Sequence, residues 1–498
     1  MAAKPQQHST GIEGLDLVLN GGFTQNRLYL IEGMPGSGKT TLALQFLLEG
    51  AARGEPTLYV TLSESEDELH SVAESHDWSL DETTIRELSP AEEALRPDEQ
   101  YTMFHPSEVE LGQTTLTILD EVKRLNPRRV VLDSLSELRL LAGTPLRYRR
   151  QILALKQFFS RRQCTVLLLD DMTSMDHDLQ VQSIAHGVVA LEQSNPDYGV
   201  ERRRLRVVKY RGVSFRGGYH DYVIRRGGIQ VFPRLVAHDT RGHVEHVRLT
   251  SGIQKLDALL GGGIERSTST LITGAAGTGK SSLAAQFVHT AAVQGCRSFM
   301  VIFDESSNTL LTRTAALGID LRPHVEAGLV TLMQVDPAEL SPGELVYAVR
   351  QAVEKDEVAI VVIDSLNGYL NAMPGEQHLI IHLHELLTYL GQHDVATMLI
   401  SAHHGLIGGA MTAAVDVSYL ADAVVLMRYF EAQGEVRQAI SVVKKRGSAH
   451  ERSIREFTMM DGRIQVGSPL RQFRGILTGV PVFEGGDNRL IDAATPSR

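Results

Sequence analysis

The chain is poor in cysteine and tryptophan and has no long apolar run, and each shortage removes a class of protein. Cys164 and Cys296 are the only cysteines in 498 residues. They stand far apart and in no Cys-x-x-Cys pattern, so a disulfide-stapled fold, a zinc cluster and a dithiol redox centre are excluded. Nowhere do about 18 apolar residues follow one another, so no membrane span is expected. The opening MAAKPQQHST lacks the apolar core of a secretory signal, and the reading is a cytoplasmic protein. Net positive charge is missing too. A formal charge of −11 argues against a broad cationic coat for nucleic acid. Only 17 prolines, with 43% hydrophobic and 22% charged residues, leave no long part of the chain with the composition of a disordered segment.

What the chain has is one module written twice. A length of 498 residues exceeds the roughly 250–300 that one core sustains. TGIEGLDLVLNGG from Thr10 is echoed by SGIQKLDALLGGG from Ser251. Lys39 and Lys280 are 241 residues apart, as are Glu64 and Glu305, so this stretch aligns without a gap. The layout read from this is a first module at 1–235, a polar linker at 236–246, a second module at 247–470 and a terminal segment at 471–498. Within each module short β-branched runs alternate with helical segments, the pattern of a parallel sheet covered on both faces. Strands are expected at Arg27–Glu32, Thr57–Leu62, Val130–Asp133 and Thr165–Leu169, and again at Thr270–Thr273, Ser298–Phe303, Ile360–Asp364 and Thr397–Ser401. A helix is expected from Lys39 to Arg53, closed by Gly54. The fold class is α/β: two tandem P-loop NTPase domains, each a mostly parallel sheet flanked by helices.

Both modules carry the phosphate-loop pattern GxxxxGK[ST] between a strand and a helix, the context that the motif requires. The candidate ATP-binding residues are Gly33, Pro35, Gly36, Ser37, Gly38, Lys39, Thr40 and Thr41, and Gly274, Gly277, Thr278, Gly279, Lys280, Ser281 and Ser282. Glycines let backbone N–H groups converge on phosphate oxygens, and the lysine neutralises the β and γ phosphates. The Thr40 and Ser281 hydroxyls are the expected magnesium ligands, with Asp133 and Asp364, each ending an apolar strand, as the carboxylates that complete the metal site. ATP and Mg2+ are therefore the expected cofactors.

In many phosphate-loop ATPases a glutamate follows that aspartate, but Ser134 and Ser365 stand there. The base must come from elsewhere, and the pairs Ser63-Glu64 and Asp304-Glu305, at the end of the next strand, supply carboxylates able to take a proton from water or a hydroxyl. Their alternative role is to cap the amphipathic segments at Asp67–Ser75 and Asn308–Gly318. Near the end of each module stands Lys-x-Arg-Gly, with Lys209 and Arg211 in one and Lys444 and Arg446 in the other. Two cations two apart on a strand share a face, which suits reaching a γ-phosphate across a subunit boundary.

The doubled phosphate loops, the [ST]GI-x-x-LD opening, the carboxylate pairs, Asp-Ser-Leu and the paired Lys-x-Arg-Gly together resemble the KaiC circadian-clock family, a double-domain branch of the RecA-like ATPases. The resemblance covers nearly the whole chain. It implies a double-ring homohexamer with ATP between subunits, hydrolysis in the first ring, and autokinase and autophosphatase activity in the second. It also implies docking of a small KaiB-like protein on ring one. On this resemblance Asp416 to Asp422 matches the phosphoacceptor region, with Ser418 on the serine position and Tyr419 replacing a threonine. Ser63 replaces one glutamate of the family's pair. Asp304 shortens another at the position of the kinase base, retracting the carboxylate by more than about 1 Å. Residues 473–481 resemble the start of the regulatory loop, but the tail beyond is short, so no KaiA-like activator is expected.

Two other readings compete. A RecA- or RadA-like DNA motor would use the arginines at 147–150, 161–162 and 202–206, yet no aromatic residues interleave them and nucleic acid is not the expected partner. A signalling scaffold would use ATP only to assemble the ring. His378 and His382, four apart with Glu385 near, lack a further metal ligand and read as a surface pair. His403 and His404 follow a strand at the ligand edge of the sheet, and Trp78 either flanks an adenine or packs under a loop.

Overall fold

The computed structural model describes residues 6–88, 106–172, 179–195, 199–236, 247–336, 338–371, 379–403, 417–460, 462–477 and 481–483. The chain divides into two compact units, Met1–Arg234 and Leu235–Arg498. The linker from 237 to 246, the tail from 484, and Asp416, His378 and His404 lie outside the described residues.

Each unit is built on a nine-stranded sheet. In the first, the strands are β1 (Leu28–Gly33), β2 (Thr57–Thr61), β3 (Thr83–Glu87), β4 (Arg129–Asp133), β5 (Thr165–Asp170), β6 (Gly187–Ser194), β7 (Arg202–Tyr210), β8 (His220–Arg225) and β9 (Gly228–Phe232). Across the sheet they run β9-β8-β7-β6-β1-β5-β4-β2-β3. Neighbours from β6 to β3 are parallel, and β6 to β9 form an antiparallel meander. The second unit repeats this with β10 (Ser269–Gly274), β11 (Ser298–Ile302), β12 (Val330–Gln334), β13 (Ile360–Asp364), β14 (Ala396–Ala402), β15 (Ala423–Ala432), β16 (Glu435–Lys445), β17 (Ile454–Met460) and β18 (Arg463–Pro469). Their order, β12-β11-β13-β14-β10-β15-β16-β17-β18, is the same topology. The expected strands are all present within a residue or two of their expected bounds. The edge strands β3 and β12 and most of the meander carry polar residues along one face, which hid them among the apolar runs.

Alternation along a buried strand feeds two cores, one on each face. Leu28 and Leu30 of β1 join Ile118, Val122, Ile152 and Phe159 on one side. Tyr29 and Ile31 join Leu42, Phe46 and Leu47 on the other, from the helix Lys39–Ala52 that follows the phosphate loop. Leu271 and Ile272 split in the same way in unit two, where Leu283, Phe287 and Val288 line the helix Lys280–Val293. Phe46 and Phe287 are shut from solvent, and truncating either to alanine costs about 3–5 kcal/mol. These packed helices fix where the two loops sit.

One strand start breaks the symmetry. Arg129, fully buried at the start of β4, donates to Glu55 at 2.6 Å and to the carbonyls of Ser9 and Phe46 at 2.8 Å. Ile360 occupies the matching place in β13. The arginine ties the amino-terminal motif of its own unit to the sheet, at the risk that losing Glu55 would leave a buried charge unpaired.

Candidate active sites

Each phosphate loop joins the carboxyl end of a central strand, β1 or β10, to a helix. The bend needs a left-handed residue at the helix start, which Gly38 (φ 91°) and Gly279 (φ 93°) supply. A Cβ on Gly38 would also stand 2.6 Å from Ile224, and one on Gly279 2.8 Å from Met459. Lys39 is buried and donates to the carbonyls of Gly33 and Met34 at 2.9 and 3.1 Å. Lys280 does the same to Gly274 and Ala275 at 3.0 and 2.7 Å. Burial pulls the Lys280 ammonium down to about 8, which marks it as a cation short of compensating charge, as a phosphate-binding lysine should be.

Asp133 and Asp364 end β4 and β13 beside the loops. The Thr40 hydroxyl lies 3.4 Å from Asp133 Oδ2 and donates to it, and Ser281 stands beside Asp364 and favours its charged form. Hydroxyl and carboxylate oxygens gathered in this way suit a hard cation such as Mg2+. Burial, joined by the charges of Glu305 and Asp304, raises the Asp364 carboxyl to about 6, against the Ser281 hydroxyl. Burial likewise raises Asp133, opposed by its bond to Tyr59. A carboxylate that resists ionising in isolation is one that a metal ion would relieve.

Ser63-Glu64 and Asp304-Glu305 sit just past β2 and β11, next to those aspartates. Glu64 is held by its backbone: its N–H donates to the Thr61 hydroxyl at 2.9 Å, which donates to the Glu64 carbonyl at 2.7 Å. Its side-chain Oε2 is buried and has no hydrogen-bond partner among the described residues. Burial, with Asp133, Glu68 and Asp171 nearby, lifts this carboxyl to about 7. Neither Glu64 nor the Asp304-Glu305 pair caps the next helix. Ser65 does, in a capping box with Glu68, and Ser306 does in unit two. In unit two Asp304, Glu305, Lys280, Ser281 and Asp364 line a single cavity of about 580 Å³, with Arg313 and Met459 on its walls.

The Lys-x-Arg pairs lie elsewhere. Lys209 is opposite Val188 at the start of β6, and Lys444 is opposite Val424 at the start of β15. They therefore stand at the amino ends of the parallel strands, whereas the phosphate loops leave the carboxyl ends. A six-residue strand such as β10 separates those edges by roughly 20 Å. Lys209 and Arg211 both donate to the carbonyl of Ser183, Arg211 at 2.8 Å. Lys444 donates to the carbonyls of Ser418 and Ala421 at 2.8 and 2.7 Å, and Arg446 to that of Tyr419 at 3.1 Å. The candidate acceptor hydroxyls and the second cation pair thus occupy one turn at one edge, with Tyr419 exposed.

A family model described as KaiC ATPase matches residues 8–236 and, a second time, residues 249–471. The chain belongs to the KaiC family. It is 27% identical over 487 residues to the circadian clock protein KaiC3 of Synechocystis sp., covering 95% of this chain and 94% of that protein. It is 26% identical to the circadian clock oscillator protein KaiC of Parathermosynechococcus lividus, over 95% of this chain and 87% of that one. The Picosynechococcus oscillator protein KaiC matches at 27%, over 96% and 92%.

Within this KaiC framework the sites hold residues that sequence reasoning passed over. Tyr59, buried in β2, donates to Asp133 Oδ2 at 2.5 Å, and Asp171 pairs with Lys39 at 2.9 Å. Arg313 bridges Glu305 and Ser282, each at 2.6 Å. The His403 ring, expected at the ligand edge of the sheet, meets the Thr273 hydroxyl at 2.7 Å, and burial, with Lys280 and Arg428 near, keeps it below its usual range. The His382 ring meets the Tyr369 hydroxyl at 3.0 Å, and no group of three metal-ligating side chains occurs among the described residues. Trp78 packs on the core, stacked beside His76 at 4.7 Å. The arginines of β7 are partly spent on Glu201 and Glu192. No described helix is long and apolar enough to cross a membrane.

Proposed function

We propose that this KaiC-family ATPase works as a magnesium-dependent ring, a homohexamer in two tiers, that hydrolyses ATP in the first module and phosphorylates and dephosphorylates itself in the second. The observation that carries this reading is the opposite-edge placement of the cations. Lys444 and Arg446 hold the turn of Ser418 and Tyr419 at the amino ends of the parallel strands, too far from their own phosphate loop to serve it. A neighbouring subunit's loop is the partner they suit, which makes the interface heterologous, the kind that gives a ring where its rotation closes.

Within one site, Lys39 or Lys280 steadies the phosphates, and Thr40 with Asp133, or Ser281 with Asp364, holds the metal. When bound, Mg2+ neutralises charge on the β and γ phosphates. Glu64, with its carboxyl near 7, is matched to accept a proton from water at neutral pH. In the second module Asp304 takes the proton of the Ser418 hydroxyl, or of Tyr419. A KaiB-like protein docking on the first tier is the partner this reading favours. Incubation of the full chain with γ-labelled ATP, followed by mass analysis, tests it. Label on residue 418 that disappears in Ser418→Ala is expected, and an unlabelled wild-type chain overturns the kinase half.

A further inference from the structure

Glu64 and Glu305 are matched positions, and both follow a β-strand that flanks an aspartate-tipped strand, yet among the differences around them one residue touches the carboxylate itself. Arg313 lies late in the helix Ser307–Ala315. Helical side chains lean toward the amino end of their helix, so its guanidinium reaches back over two turns to the residue that precedes the helix. There it donates to both oxygens of Glu305, at 2.6 and 3.4 Å, and through its other terminal nitrogen to the Ser282 hydroxyl at 2.6 Å. Ser282 follows the metal-ligand position Ser281, so Arg313 fastens the carboxylate to the phosphate-loop helix. The counterpart of Arg313 in the first module is Val72, packed on the apolar core, and Glu64 Oε2 is left without a partner among the described residues. Asp304 is exposed at the mouth of the same cavity and makes no hydrogen bond or ion pair among the described residues.

We infer that Arg313 is a positioning residue that withholds Glu305 from base duty, leaving Asp304 to act and turning the second module from hydrolysis toward transfer. This rests on the ATPase and autokinase reading above. Either nucleophile, water or the Ser418 hydroxyl, bonds to the γ-phosphorus as the bond to the β-bridging oxygen breaks and ADP leaves, and its proton passes to a carboxylate. A glutamate reaches farther than an aspartate and is the better placed of the two for a small, mobile water. Held in a charge-assisted fork by Arg313, it accepts no proton, and the hydroxyl served by Asp304 is favoured.

The test uses the full-length chain carrying Glu64→Gln, which removes the first module's base, with and without Arg313→Val, the residue of the first module. Released phosphate and protein-bound label are counted in one incubation, and binding of a fluorescent ATP analogue is titrated separately. Arg313→Val should raise phosphate release by on the order of fivefold to tenfold and lower the labelled share, while analogue affinity moves by less than about twofold. Adding Glu305→Gln should abolish the gain, and Arg313→Lys should fall between. A fall of both products together with weaker analogue binding would make Arg313 a phosphate ligand and overturn the inference, as would products that do not move. If the chain with Arg313 in place forms neither product, it is the underlying ATPase and autokinase reading that fails, and the inference falls with it.

Discussion

The two modules share a fold strand for strand and differ where the chemistry is done. In the first, three carboxylates, Glu64, Asp133 and Asp171, crowd the phosphate-loop lysine, and Lys39 is paired with one of them. In the second, a guanidinium has entered among the acids and taken Glu305, while Lys280 holds only carbonyls among the described residues. Under Asp133 stands the hydroxyl of Tyr59, and at the matching place of β11 stands Met300, with no donor to offer. Loops of one pattern thus face sites of different charge, and duplication kept that pattern while the surroundings of the candidate base and metal carboxylate drifted apart.

The largest effect should come from the cations at the far edge. Arg211→Ala and Arg446→Ala are each expected to slow their own module by on the order of 10³-fold, with nucleotide binding retained. Equal loss in both modules from either change would break the separation of the two sites. Next are the bases. Glu64→Gln should cut phosphate release by about 10²-fold and spare the label on the protein, and Asp304→Asn should do the reverse.

Tyr59→Phe should be smaller and specific to the first unit. A hydrogen bond to a charged group is worth about 1.5–3 kcal/mol, so urea unfolding should show a loss of about 2 kcal/mol in that unit, which brings it nearer the condition of the second. The smallest effect is one of pH. Glu64 binds its proton more tightly folded, near 7, than at its ordinary 4.5, so stability falls as pH rises through that window. Glu64→Gln should therefore be more stable than wild type above pH 7, with the difference gone below about pH 4.5. Glu305→Gln should be destabilising instead, because it strips Arg313 of its charged partner and leaves it only the Ser282 hydroxyl and an amide.

The phosphate loops and their aspartates were legible because the chemistry confines them to a few consecutive residues and the chain repeats them in register. The neighbours that tune them were not. Tyr59 reads as one more apolar-strand aromatic, since its donation to Asp133 crosses from one strand to the next. Arg313 reads as the polar face of an amphipathic helix, and only the lean of that helix's side chains brings it to Glu305. The helix starts were legible in part. Ser65-Glu-Asp-Glu68 is a capping box by pattern, and it frees Glu64 from the capping role that its position had also allowed.

The two edges of each sheet carry a further consequence. On the proposed reading one edge of the second module's sheet gives phosphate and the other receives it, so a closed ring of such units would have a sense of circulation, with every chain writing on the neighbour to one side. In a mixed ring of Lys280→Ala and Ser418→Ala chains, the label should appear on the chain that cannot hold its own nucleotide. What the second module would then record is the condition of the chain next door.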